Sequence, residues 1–66
     1  MIDFQTLKSA AMRYQLKFGI EWRDARIREF TGGVSSRLAD VPYNRRADLF
    51  EALTLAVTEF DARRGG

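Results

Sequence analysis

Apolar residues at Phe4, Leu7, Ala11, Tyr14 and Phe18 follow spacings of three and four, which predicts one buried face of a helix over residues 4–18. Asp3 stands where an N-cap accepts hydrogen bonds from the first turn, and Gly19 provides a stop. Tyr14, Leu16, Phe18, Ile20 and Trp22 also alternate strictly, as a half-buried strand would. That second reading makes residues 14–31 a hairpin turning at Asp24-Ala25, which lacks the Asn-Gly or Asp-Gly chemistry of tight hairpins, so the helix is preferred.

The next segment, residues 21–30, carries a weaker pattern. Ile27 and Phe30 share one side, Trp22 and Ala25 lie on another, and Asp24 with Arg28 forms an i,i+4 pair that supports a helix ending at Gly32-Gly33. Beyond the glycines, Val34 as a staple residue and Ser35-Ser36 as an N-cap predict a short helical turn through Asp40. Pro42 then forces a break. The clearest pattern runs from Tyr43 to about Arg63, where Leu49, Phe50, Leu53, Ala56, Val57 and Phe60 form a broad apolar stripe. Arg63 to Gly66 reads as a frayed tail. These elements predict an all-α fold, a small bundle of three helices plus one short helical turn, in a single domain over residues 1–66. The alternative is an α+β fold with a hairpin in residues 14–31. With antiparallel packing, the last and first helices form two walls and the short second helix closes an end.

Composition agrees with a folded chain. A protein of 66 residues buries only roughly 60% of its unfolded surface, yet 45% of this one is hydrophobic, with five Phe, two Tyr and one Trp. It contains no cysteine, so neither a disulfide framework nor a thiolate zinc site staples it, and cytoplasmic localisation is the default. The first residues lack the basic start and apolar run of a signal peptide, and no stretch approaches the roughly 20 apolar residues of a membrane span. The net charge of +2 is too small to imply nucleic-acid binding through the global field. More telling is the choice of base, since all but Lys8 and Lys17 are Arg, whose planar fork suits phosphate and carboxylate.

Histidine and cysteine are both absent, which removes the commonest acid, base and nucleophile chemistry. Asp48 and Glu51 are the one close acidic pair of the last helix, and most other carboxylates lie beside a base as on a solvated surface. No catalytic residue, metal site or cofactor is therefore predicted, and the chain is not expected to be an enzyme. Thr31-Gly32-Gly33-Val34-Ser35-Ser36 precedes a helical turn and could offer backbone N–H groups to a phosphate. It has no Walker lysine and no preceding strand, so a helix C-cap followed by an N-cap explains it better. The run from Phe30 to Val41 is similar to the turn of a helix-turn-helix, but Pro42 cuts its second helix to under two turns.

Three features point to binding. Arg45 and Arg46 lie in the first turns of the long helix, where the macrodipole disfavours a cation by roughly 0.3–1 kcal/mol. Either Arg46 reaches past the core edge to a carboxylate such as Asp40, or these arginines join Arg37 in an anion site. Met12, Leu16 and Ile20 give the first helix a second apolar face beside Arg13 and Lys17, which repel each other at i,i+4 and so suit an acidic partner. Trp22 is placed either in the core or in a cation–π stack with Arg26 at an interface.

Together these predict a non-catalytic helical binding module, an accessory or regulatory factor in a nucleic-acid transaction. It would dock on a protein partner through Met12, Leu16, Ile20, Trp22 and Arg26, with Arg37, Arg45, Arg46, Arg13 and Lys17 contacting phosphate. The alternative is a pure protein–protein adaptor or inhibitor, including a homodimer, whose arginines meet carboxylates.

Overall fold

In a computed structural model, which describes residues 2–65 and the side chains of residues 2–64, the chain forms three α-helices: α1 (Phe4–Phe18), α2 (Ile20–Phe30) and α3 (Arg46–Gly65). Two single 3₁₀ turns, Leu38–Asp40 and Tyr43–Arg45, lie between α2 and α3. Among the described residues there is no strand, so the fold is all-α and the hairpin over residues 14–31 is not formed. The physical reason is the long-range partner. Helical spacing puts Leu7, Ala11, Tyr14 and Phe18 on one side, where α3 offers Leu49, Leu53, Val57 and Phe60; alternation would have turned Leu16 and Trp22 to that side instead.

The start of α1 is capped as its sequence implies: the Asp3 carboxylate accepts from the Gln5 N–H at 3.4 Å. Between α1 and α2 only Gly19 is non-helical, at φ 101° and ψ 160°, a conformation essentially reserved for glycine. The end of α2 closes through Gly33, whose N–H donates to the Arg28 carbonyl at 2.8 Å with φ at 84°. The glycine pair thus acts as a helix terminator. Thr31 then ties the loop to this end, its hydroxyl donating to the Ser35 carbonyl at 2.6 Å.

The short helical turn expected through Asp40 forms, as Leu38–Asp40. It is a single 3₁₀ turn, and Ser35 holds it by accepting from the Arg37 N–H at 3.0 Å and donating to the Asp40 carboxylate at 2.6 Å. Val34 is 86% exposed and staples nothing, because no helix follows to supply its apolar partner. No helix-turn-helix forms here. The long helix itself begins at Arg46, one 3₁₀ turn later than Tyr43, and α3 continues through Arg63 and Arg64 to Gly65, where the sequence suggests a frayed tail; Gly66 lies outside the described residues.

The helices run up, down and up. Phe4 at the start of α1 lies by Arg46 at the start of α3, and Phe18 at its end meets Phe60 near the other end, with ring centroids 5.1 Å apart. So consecutive helices are antiparallel, and α1 and α3, the two walls, run parallel to each other, with α2 returning alongside α1. The end of α2 lies beside the start of α3, with the Arg45 guanidinium 5.0 Å from the Phe30 centroid. The core is Leu7, Ala10, Ala11, Tyr14, Ile27, Val41, Leu49 and Leu53, with α1 against α3 as its main seam. Ile27 is the single fully buried residue of α2, so α2 is the most thinly attached helix. No helix among the described residues is long and apolar enough to cross a membrane.

Candidate functional site

Because α2 leans on α1 and touches α3 little, an open groove of about 440 Å³ runs between α2 and the C-terminal half of α3. Tyr14 and Phe18 of α1 form its floor, Trp22 and Arg26 its α2 wall, and Ala56, Glu59, Phe60 and Arg63 its α3 wall. The aromatic rings are coupled: Tyr14 and Phe18 lie 4.5 Å apart between centroids, and Phe60 packs edge-on against Phe18. Tyr14 is buried, yet Trp22 is 61% exposed. A large aromatic side chain in solvent at the lip of an aromatic cleft is the least expected feature of so small a domain.

Cations surround this cleft. Lys17 and Arg64 sit 5.8 and 5.7 Å from the Phe60 centroid, at cation–π distance. Arg26 donates from Nη1 to Glu29 at 2.9 Å and from Nε to the Tyr14 hydroxyl at 3.3 Å. The bond to Glu29 first, and that to Tyr14 second, raise the guanidinium pKa above its ordinary value. These bonds fix Arg26 in the groove wall, and the expected stack of Arg26 on Trp22 is absent among the described residues. The carboxylate one turn on and the buried phenol outcompete the exposed indole.

The remaining expected site residues divide into spent and free. Arg46 is spent: its guanidinium lies 5.4 Å from the Phe4 centroid and 5.0 Å from that of Tyr43, and its Nε donates to the Val41 carbonyl at 3.3 Å. It makes no salt bridge with Asp40, which is bonded to Ser35 instead. The two rings and the carbonyl offset the helix-dipole penalty. Lys17 is also spent, on Asp61 of α3 at 2.8 Å; the acidic partner that it called for is in the same chain, one helix away. Asp24 pairs with its neighbour Arg23 at 2.9 Å, not with Arg28. Arg45 stacks over Phe30 at 5.0 Å but stays exposed, and Arg37 and Arg13 are exposed without a salt bridge among the described residues. Arg13 sits away from Arg37 and Arg45, in the seam of α1 and α3 beside Leu53, Thr54, Val57 and Thr58.

Met12, Leu16 and Ile20 are all exposed, Leu16 to 77%, so the second apolar face on α1 is real and reaches the first residue of α2. It faces away from α3 and is separate from the groove. No protein-family model, curated protein or solved structure matches this chain. The geometry alone therefore speaks for the site. It brings Trp22 and Arg26 to the groove and leaves Met12, Leu16 and Ile20 elsewhere. Sequence reasoning missed Glu59, Arg63 and Arg64 as groove and rim residues and placed Phe60 only in the core. The available signal was their i,i+3 and i,i+4 spacing from Ala56 and Phe60, which puts a polar edge beside the apolar stripe.

Proposed function

We propose that the protein is a non-catalytic, cytoplasmic, helical protein-binding module that docks a partner in the groove between α2 and α3. The observation that carries this reading is Trp22, 61% exposed at the lip of a cleft lined by Tyr14, Phe18 and Phe60. Trp and Arg dominate the energetic centres of interfaces, and here both residue types flank an apolar pocket with a mixed polar rim. The pair Arg63 and Arg64 gives the rim its basic excess over Glu59. A partner that presents an apolar side chain flanked by a carboxylate fits this arrangement.

A second reading keeps the protein as an accessory factor in a nucleic-acid transaction. Arg37 and Arg45 favour it, being exposed and without a salt bridge among the described residues, while Arg46 is half-buried against two rings. Affinity capture from the protein's own cellular extract separates the two. Wild type, Trp22→Ala and an Arg37→Glu, Arg45→Glu double variant are compared, alongside titration of labelled DNA and RNA at two salt concentrations. The docking reading expects a partner protein that the double variant retains and Trp22→Ala loses by roughly tenfold or more. Unchanged capture by Trp22→Ala overturns it, and steeply salt-dependent nucleic-acid binding lost in the double variant puts the second reading first.

A further inference from the structure

The join between α1 and α2 is a single residue, and its hydrogen bonding is unusual. The Gly19 N–H still donates to the Gln15 carbonyl at 2.8 Å, completing the ladder of α1, while its carbonyl accepts from the Arg23 N–H at 3.1 Å, opening the ladder of α2. The two ladders therefore fail to merge at one point only. The N–H groups of Ile20, Glu21 and Trp22 and the carbonyls of Leu16, Lys17 and Phe18 fall outside both, as at any pair of helix ends. A rotation of Gly19 into the right-handed helical region would pair these three donors with these three acceptors and make residues 4–30 one helix.

Within one chain that rotation would carry Ile27 and Phe30 away from the core. Between two chains nothing need be lost. We propose that Gly19 is a hinge through which the chain exchanges α1 with a second copy, giving a two-fold dimer in which α1 and α2 form one continuous helix. The α1 of each copy then packs on α2 and α3 of the other and remakes the contacts of Leu7, Tyr14 and Ile27, while the hinge gains three backbone hydrogen bonds. A one-residue hinge whose bent form, at φ 101° and ψ 160°, is open to glycine alone is the kind of short joint at which such exchange occurs. Opening breaks the main seam of α1 on α3, which the exchanged dimer rebuilds between copies, so the balance turns on the hinge itself, and the exposed Leu16 and Ile20 flank that hinge, where the two copies would approach each other. This proposal stands whether or not the groove binds a partner.

Gly19→Ala isolates the hinge, because a Cβ at this position meets no atom within 4 Å and disfavours only the backbone conformation. Light scattering and far-ultraviolet circular dichroism should show a folded dimer with added helix, the association constant rising roughly 10- to 100-fold per chain. D-Alanine at position 19, introduced by chemical synthesis, accepts the bent conformation and should remain monomeric. The tips of Gln15 and Arg23 meet across the bend, Nη1 to Oε1 at 3.1 Å, so mixing Gln15→Cys chains with Arg23→Cys chains in the Gly19→Ala background should let a bis-maleimide long enough to replace the two side chains cross-link different chains. A Gly19→Ala protein that stays a monomer, folded or unfolded, overturns the proposal. So does a dimer in which no such cross-link joins different chains.

Discussion

Arg46 offers the sharpest check on the physical account, because the same residue was expected at the surface and is found in the packing. Replacing it with Met keeps the length and apolar stem while removing the charge and the donor. Two cation–π contacts at a half-buried site contribute about 0.5–1 kcal/mol each. The bond to the Val41 carbonyl is long at 3.3 Å, so it belongs at the low end for a charged donor, about 1.5 kcal/mol. Against this, loss of a cation from the first turn of α3 returns about 0.3–1 kcal/mol of dipole repulsion. The net expectation for Arg46→Met is a loss of about 2 kcal/mol. In a domain of this length that lowers the melting temperature by roughly 8–16 °C. Arg45→Met, which gives up one exposed stack on Phe30, should cost less than about 1 kcal/mol. Urea unfolding followed by circular dichroism reads both. If Arg46→Met is neutral or stabilising, or if the two variants are equally harmful, the assignment of Arg46 to the packing is wrong.

Leu53 has no exposed surface and sits at the centre of the seam of α1 and α3, so Leu53→Ala should cost about 2–5 kcal/mol and leave the domain largely unfolded at 37 °C, measured by thermal melting. The Lys17–Asp61 ion pair is partly solvated on both sides, and a double-mutant cycle with Lys17→Ala and Asp61→Ala should return under about 1 kcal/mol, falling further at high salt. Trp22→Ala should change stability by less than about 1 kcal/mol, because most of the indole is already in water, and a much larger loss in the urea midpoint would place Trp22 in the core after all.

What was legible follows from how much local and distant physics agreed. For α1 and α3 the three-and-four spacing of Leu7, Ala11 and Tyr14 and of Leu49 and Leu53 marks the faces that are buried against each other. Asp3 and Gly19 state the ends of α1 in local chemistry, and the structure uses both. The loop from Thr31 to Arg45 was less legible. Ser35 and Val34 have the residue types of a helix start, but Pro42 leaves no helix to start, and the same hydroxyl instead joins Asp40 to the Arg37 N–H. Charges were the least legible of all. Lys17 finds Asp61 forty-four positions away, and Arg46 finds Phe4 across the bundle, distances in sequence that no spacing rule reaches.

The groove shows why the pattern of the second helix is weak, although its span over residues 21–30 was legible to within one residue. An amphipathic pattern predicts a helix well when one long face is buried, and α2 buries only Ile27 fully, so its other residues report little about its neighbours. The same thin attachment underlies both proposals. It leaves Trp22 standing off from α3, which opens the aromatic cleft, and it leaves α2 held to the rest chiefly through one glycine joint and one buried side chain. Tightening α2 onto α3, for example by filling the cleft with a larger residue at Ala56, should therefore act on both at once. Ala56→Leu is expected to raise the melting temperature while weakening any partner that enters beside Trp22, whereas a gain in stability with unchanged capture would separate the cleft from the docking surface.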